Sequence, residues 1–153
     1  MTVHEMHLEI SKEIRALPSV VYALVSDLSR MGEWSTENMG GAWISGTAGT
    51  VGARFLGKNK IGDFEWSVPV EVTIASPSEC FEFVAAPDDG PFVRWTYKLQ
   101  AIDSGTLLTE IWDVMALPPS LAKLDAEGLK KRKAAVQETI GATLQGICDA
   151  AES

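Results

Sequence analysis

The sequence predicts an α+β fold, an antiparallel sheet followed by one long helix. Strand-like segments fill the stretch from about Gly40 to Met115. One long amphipathic helix follows, from about Asp125 to Ala150. A short apolar helical patch at Pro18–Val25 interrupts the strands early. A sheet followed by a single long helix must bury the apolar faces of both against each other. If the sheet is strongly curved, the helix closes its mouth and leaves an interior space, which suggests a container for a small molecule.

The elements follow in order. A first strand runs from about His4 to Arg15, with Leu8 and Ile10 on one face and Glu9 on the other. Pro18 opens a helix, where its missing N–H costs nothing, and Val20, Val21, Leu24 and Val25 form its apolar stripe. Leu28–Trp34 reads as a second short helical turn, stopped around Gly32. Thirteen glycines, most of them between positions 32 and 105, mark turns and bends and supply the bulges that a wrapped sheet needs. Ala42–Ser45 and Gly52–Lys60 read as strands two and three. Phe64–Ile74 alternates most clearly, with Trp66, Val68, Val70, Val72 and Ile74 on one face, and Pro69 inside it suggests an edge or a bulge. Strand five is Glu79–Ala86, strand six Val93–Ile102 and strand seven Thr106–Met115. Their connections are of hairpin length, as in an antiparallel meander. In the last helix Leu129, Val136, Ile140, Leu144 and Ile147 make one apolar stripe, and Lys130–Lys133 reads as a solvated basic face. The glycine-rich stretch Gly40–Gly52 reads as a lid, with Trp34 at the mouth.

The length of 153 residues fits a single domain, 1–153, with a full core. Hydrophobic residues at 46% and charged residues at 22% are those of a soluble globular chain. With 21 acidic residues against 13 basic ones the net charge is -8, which argues against a nucleic-acid partner and disfavours anionic membranes. Cys80 and Cys148 lie far apart, without a Cys or His at metal-ligand spacing, and read as reduced thiols. Met1–Leu8 has no signal-peptide core, and no apolar run approaches the roughly 18 residues needed to span a bilayer. The expectation is a cytoplasmic protein, monomer or homodimer, without membrane insertion.

No catalytic, phosphate-binding, dinucleotide or zinc motif is present, and no cofactor is implied. The only histidines are His4 and His7, so a histidine triad or a multi-histidine metal site is not expected. Any chemistry would rest on carboxylates, a tyrosine or positioning. Five tryptophans stand out, Trp34, Trp43, Trp66, Trp95 and Trp112. Core packing accounts for each; the alternative is that several line a cavity, and Trp66, Trp95 and Trp112 lie on three separate strands that could share one side. Glu110 is the sharpest polar candidate. It shares a face with Leu108, Trp112 and Val114, but Leu107, Ile111 and Met115 make the opposite face equally apolar. If Glu110 faces inward, desolvation raises its pKa. Asn59 shares parity with Phe55 and Gly57 and could fix a polar group of a ligand, or serve a turn. Tyr97 shares parity with Trp95 and Leu99, and its hydroxyl could reach a cavity.

Several short segments carry a resemblance. Leu17-Pro18-Ser19-Val20-Val21-Tyr22 opens the first helix and Gly32-Glu33-Trp34-Ser35 follows. Next come Gly52-Ala53-Arg54-Phe55-Leu56-Gly57-Lys58-Asn59-Lys60, then Trp95-Thr96-Tyr97, then Gly105-Thr106 and Thr109-Glu110-Ile111-Trp112. In this order they resemble the START-like SRPBCC superfamily and its polyketide cyclase/dehydrase branch, over about Glu9 to Ala150. The resemblance implies a helix-grip fold, a seven-stranded antiparallel sheet wrapped around the C-terminal helix with a deep cavity between. It also implies the strand phase that turns Glu110, Trp112, Tyr97 and Asn59 inward. The first functional expectation is binding or transport of a small hydrophobic molecule of lipid, polyketide or aromatic type, with Trp34, Phe55, Asn59, Trp66, Trp95, Tyr97 and Trp112 as ligand-binding residues. The alternative is a cyclase/dehydratase-type enzyme with Glu110 as general acid/base and Tyr97 and Asn59 orienting a carbonyl. A third reading is a protein-interaction module with a vestigial cavity.

Overall fold

The computed structural model describes residues 3–153, without the side chain of His4; expectations for Met1 and Thr2 lie outside the described residues. A short 3₁₀ turn, Val3–Glu5, precedes strand β1, His7–Ile14, which is shorter than the expected His4–Arg15. Helix α1 spans Pro18–Val25 with Pro18 in its first turn, and a 3₁₀ turn follows at Leu28–Glu33. Five more hairpin-linked strands and a last one complete the sheet: β2 Asn38–Ser45, β3 Arg54–Ile61, β4 Phe64–Ser76, β5 Cys80–Ala85, β6 Val93–Ile102 and β7 Gly105–Val114. Among the described residues these strands form one curved antiparallel sheet in the order β1-β7-β6-β5-β4-β3-β2. Helix α2, Pro119–Ala122, was not expected. Pro118 precedes it in extended conformation and Pro119 stands in its first turn. Helix α3 is Ala126–Glu152, with the Asp125 side chain accepting a 2.8 Å hydrogen bond from the Gly128 N–H at its start. This is the helix-grip arrangement expected.

Helix α3 buries Leu129, Val136, Ile140, Leu144 and Ile147 against the sheet, packing mainly on β1 and α1. Ile140 and Ile147 are fully enclosed, so truncating either to alanine would cost on the order of 2–5 kcal/mol. Strand β7 alternates without a break. Thr106, Leu108, Glu110, Trp112 and Val114 point inward, and the residues between them are only partly covered. That settles the strand phase the residues themselves leave open.

Two bulges alter the expected pattern. In β4, Val72 pairs with Phe83 and Ile74 with Glu82, so Thr73 is an extra residue. A one-residue insertion reverses the faces beyond it. Ile74, expected inside with Val72, is therefore outside and 37% exposed, and Ala75 packs on the core instead. In β2 the register shifts between Asn38 and Gly41. Gly41 has φ +145° and a Cβ there would run into the Leu56 carbonyl oxygen, so only glycine fits the bulge. The strand begins at Asn38, four residues earlier than expected, and the first part of the expected lid, 40–45, is sheet. Pro69 lies where β5 has ended, since β4–β5 pairing starts at Val70. There β4 has β3 on one side, and the missing N–H interrupts no continuous ladder.

Candidate functional site

A cavity of about 530 Å³ lies between the sheet and α3, within the range of about 300–1,000 Å³ usual for small-molecule sites. The inward faces of β3 to β7 supply most of its wall. Phe55, Trp66, Trp95 and Trp112 line it, so three of the five tryptophans meet in one space, the arrangement weighed against plain core packing. Trp95 and Trp112 are direct cross-strand partners. Ile61 and Phe64 at the tip of the β3–β4 hairpin and Ser120 of α2 line the cavity and are exposed, which marks its opening; Phe64 is 64% exposed and stacks on Trp66 at 5.4 Å.

Glu110 and Tyr97 form its buried polar wall. They face each other across the β6–β7 ladder, and Glu110 is 3% exposed. Burial pushes the Glu110 carboxyl up to about 8, because it removes the water that would stabilise its charge. A hydrogen-bonding interaction with Tyr97 pulls the other way and is outweighed. The Tyr97 phenol is pushed well above its ordinary value, by burial first and by Glu110 second. Its hydroxyl also points at the Met31 sulfur, 3.9 Å away. Glu110 Oε1 is buried without a hydrogen-bond partner among the described residues. A neutral carboxyl can donate one hydrogen bond and accept others, so this wall has capacity to spare.

Asn59 lines the cavity nearer the opening, paired in register with Trp66 on one side and Asn38 on the other. Trp34 does not line it. It is 6% exposed and packed against Gly146 of α3, with the Arg30 guanidinium 5.3 Å from its ring centroid. The sequence places Trp34 at the mouth because it ends the turn before the glycine-rich stretch. The turn instead folds back onto the helix. No residue of 46–53 lines the cavity either; that loop sits at the far end of β3 from the opening.

The sequence reading also missed an ion pair. Arg132 binds Glu37 through two bonds, Nη2 to Oε1 at 2.7 Å and Nη1 to Oε2 at 3.1 Å, and both side chains are largely covered and line the cavity. Arg132 is therefore not part of a uniformly solvated basic face. The signal was present: Arg132 stands three residues after Leu129 and four before Val136, on the apolar side of the helix. Glu37 gave no signal, because it lies in an irregular turn held by the Ser35 hydroxyl, which accepts from the Glu37 and Asn38 N–H groups.

Fold and cavity together define a protein of the START-like class, in the SRPBCC superfamily. The chain belongs to the polyketide cyclase/dehydrase and lipid transport family, whose model matches residues 5–147. It is 32% identical to the Polyketide_cyc-like protein Cgl2372 from Corynebacterium glutamicum, over 94% of this chain and 89% of that one, with a TM-score of 0.66. A START superfamily protein from Mycobacterium smegmatis is 15% identical, with 94% and 97% covered and a TM-score of 0.73. The di-domain ARO/CYC StfQ from the steffimycin biosynthetic pathway is 11% identical, with a TM-score of 0.77 over 96% of this chain and 50% of StfQ. The last two likenesses speak to the fold alone. No curated protein matches the chain. Among the described residues no helix is long and apolar enough to cross a membrane.

Proposed function

We propose that this protein binds and carries a small hydrophobic molecule in the cavity between its sheet and α3. The observation that carries the reading is the cavity itself: about 530 Å³, walled by Phe55, Trp66, Trp95 and Trp112, with Glu110 and Tyr97 as its buried polar groups. Aromatic walls supply affinity, and a few polar groups fix orientation. Native mass spectrometry of the purified protein, followed by extraction of any co-purifying ligand, tests it. A bound apolar species lost on mutating Trp95 and Trp112 supports the carrier. A protein that binds no apolar compound contradicts it.

The second reading is an enzyme of the cyclase/dehydratase type, and one observation favours it. A carboxyl held near pH 8 is poised to give and take protons close to neutrality. Glu110 would act as general acid/base, with Tyr97 and Asn59 orienting a carbonyl. StfQ, which shares the fold, belongs to a biosynthetic pathway. Glu110→Gln separates the readings: an enzyme variant keeps its ligand and loses turnover, whereas a carrier variant shows a modest change in binding, ~1 kcal/mol.

A further inference from the structure

The charges around the cavity bear on what it admits. Of the residues lining it, Glu37, Glu110 and Arg132 are the only ones that carry full charges near neutral pH when ionised. Arg132 is the only cation among them, and Glu37 already occupies its guanidinium in the two-bond geometry that a ligand carboxylate would need. Lys58 and Lys60, on the neighbouring stretch of β3, are exposed and absent from the wall. The Glu110 carboxyl is enclosed, with one oxygen unpartnered and no cation acting on it among the described residues.

We propose that the cavity takes a neutral hydrophobic molecule bearing a carbonyl, which accepts a hydrogen bond from Glu110, and that it discriminates against ionised carboxylic acids of the same size. This rests on the carrier reading and names its ligand class. A buried anion is costly unless paired. A ligand carboxylate would have to displace Glu37 from Arg132, leaving one carboxylate unpaired for another, or lie beside Glu110 with no cation in reach. A ketone, ester or quinone carbonyl meets neither cost. It presents an acceptor to a carboxyl whose Oε1 has no hydrogen-bond partner among the described residues, and it leaves the Glu37–Arg132 pair intact.

Three probes of nearly equal size test this: acetylnaphthalene, naphthoate and ethylnaphthalene, titrated into the full chain by calorimetry near neutral pH. Acetylnaphthalene should bind about tenfold or more tightly than naphthoate. It should also exceed ethylnaphthalene, and Glu110→Leu should abolish that second advantage while leaving ethylnaphthalene binding in place. Glu37→Gln frees Arg132 and should raise naphthoate affinity selectively. Circular dichroism and a thermal melt establish that each variant is folded. Naphthoate binding the unaltered protein as tightly as acetylnaphthalene would overturn the proposal and leave the carrier reading standing. Binding of ethylnaphthalene and acetylnaphthalene with equal affinity would remove Glu110 as the donor and overturn it as well. If the folded protein binds none of the three, the carrier reading falls, and the proposal with it.

Discussion

Trp34 is seated directly on the backbone of Gly146: a Cβ at position 146 would collide with the Cβ and Cα of Trp34. The glycine is what lets the 3₁₀ turn at Leu28–Glu33 close onto α3. Gly141, five residues earlier on the same helix, has nothing within 4 Å of its added Cβ. The two glycines therefore predict opposite signs. Gly141→Ala should stabilise by about 0.8–1.0 kcal/mol through helix propensity alone. Gly146→Ala makes the same propensity gain but should destabilise by about 1–3 kcal/mol net of it, as overpacking does. Urea unfolding of both variants checks the pair; a stabilised Gly146→Ala would mean that Trp34 is free to move away.

What could be read in advance divides along physical lines. Periodicity fixes a face only where the period is unbroken. In β7 and α3 it runs through, so the sheet, the helix stripe and the meeting of Trp66, Trp95 and Trp112 could be anticipated. The phase of β7 needed the family resemblance, because Leu107, Ile111 and Met115 match Leu108, Trp112 and Val114 in hydrophobicity. Ile74 could not be placed, since the bulge at Thr73 has no glycine or proline to announce it. Trp34 and Glu37 lie in irregular chain, where no period exists and long-range packing decides.

Ligand entry should be reported by a subset of tryptophans. Trp66, Trp95 and Trp112 line the cavity, whereas Trp34 is sealed against α3 and Trp43 packs edge-on to Phe55 with centroids 5.2 Å apart. An apolar quencher that enters the cavity should therefore act on the first three. Replacing Trp95 and Trp112 by phenylalanine should remove most of the response, and replacing Trp34 and Trp43 should remove little. Equal losses from both double variants would place the ligand elsewhere.

Hydrogen exchange should divide the chain differently from the lid expectation. Gly40–Ser45 is strand, and the loop beyond it lies away from the opening. Amides of Thr47, Ala48 and Val51 should exchange fast, having no backbone hydrogen-bond partner among the described residues, while Val70 and Val72 in the interior of β4 should be slow. A cavity ligand should add protection at 61–64, beside the opening, and leave 47–51 unchanged. Added protection at 47–51 would restore that loop as the lid.

The Tyr97–Glu110 wall should impose a pH dependence on stability. In the folded protein burial holds the Glu110 carboxyl at about 8, against an ordinary value of 4.5. Between those two values the folded state keeps a proton that the unfolded chain has released. The unfolded state then binds fewer protons, so this group makes stability fall as pH rises from about 4.5 to about 8. Below that window both states are protonated and above it both are ionised, so the slope vanishes at either end. Each unit of separation corresponds to ~1.4 kcal/mol, which makes the whole effect several kcal/mol. Other carboxylates titrate at the lower edge, so the measurement is a difference between the protein and Glu110→Gln. Urea unfolding at about pH 5 and about pH 8 should show the variant gaining on the parent as pH rises. Tyr97→Phe removes the one interaction that favours the charged carboxylate, so it should push the Glu110 transition higher still. Parallel profiles for the parent and Glu110→Gln would mean that the carboxyl ionises as it does in water, and would remove both the proton donor of the proposed ligand site and the acid/base of the enzymatic reading.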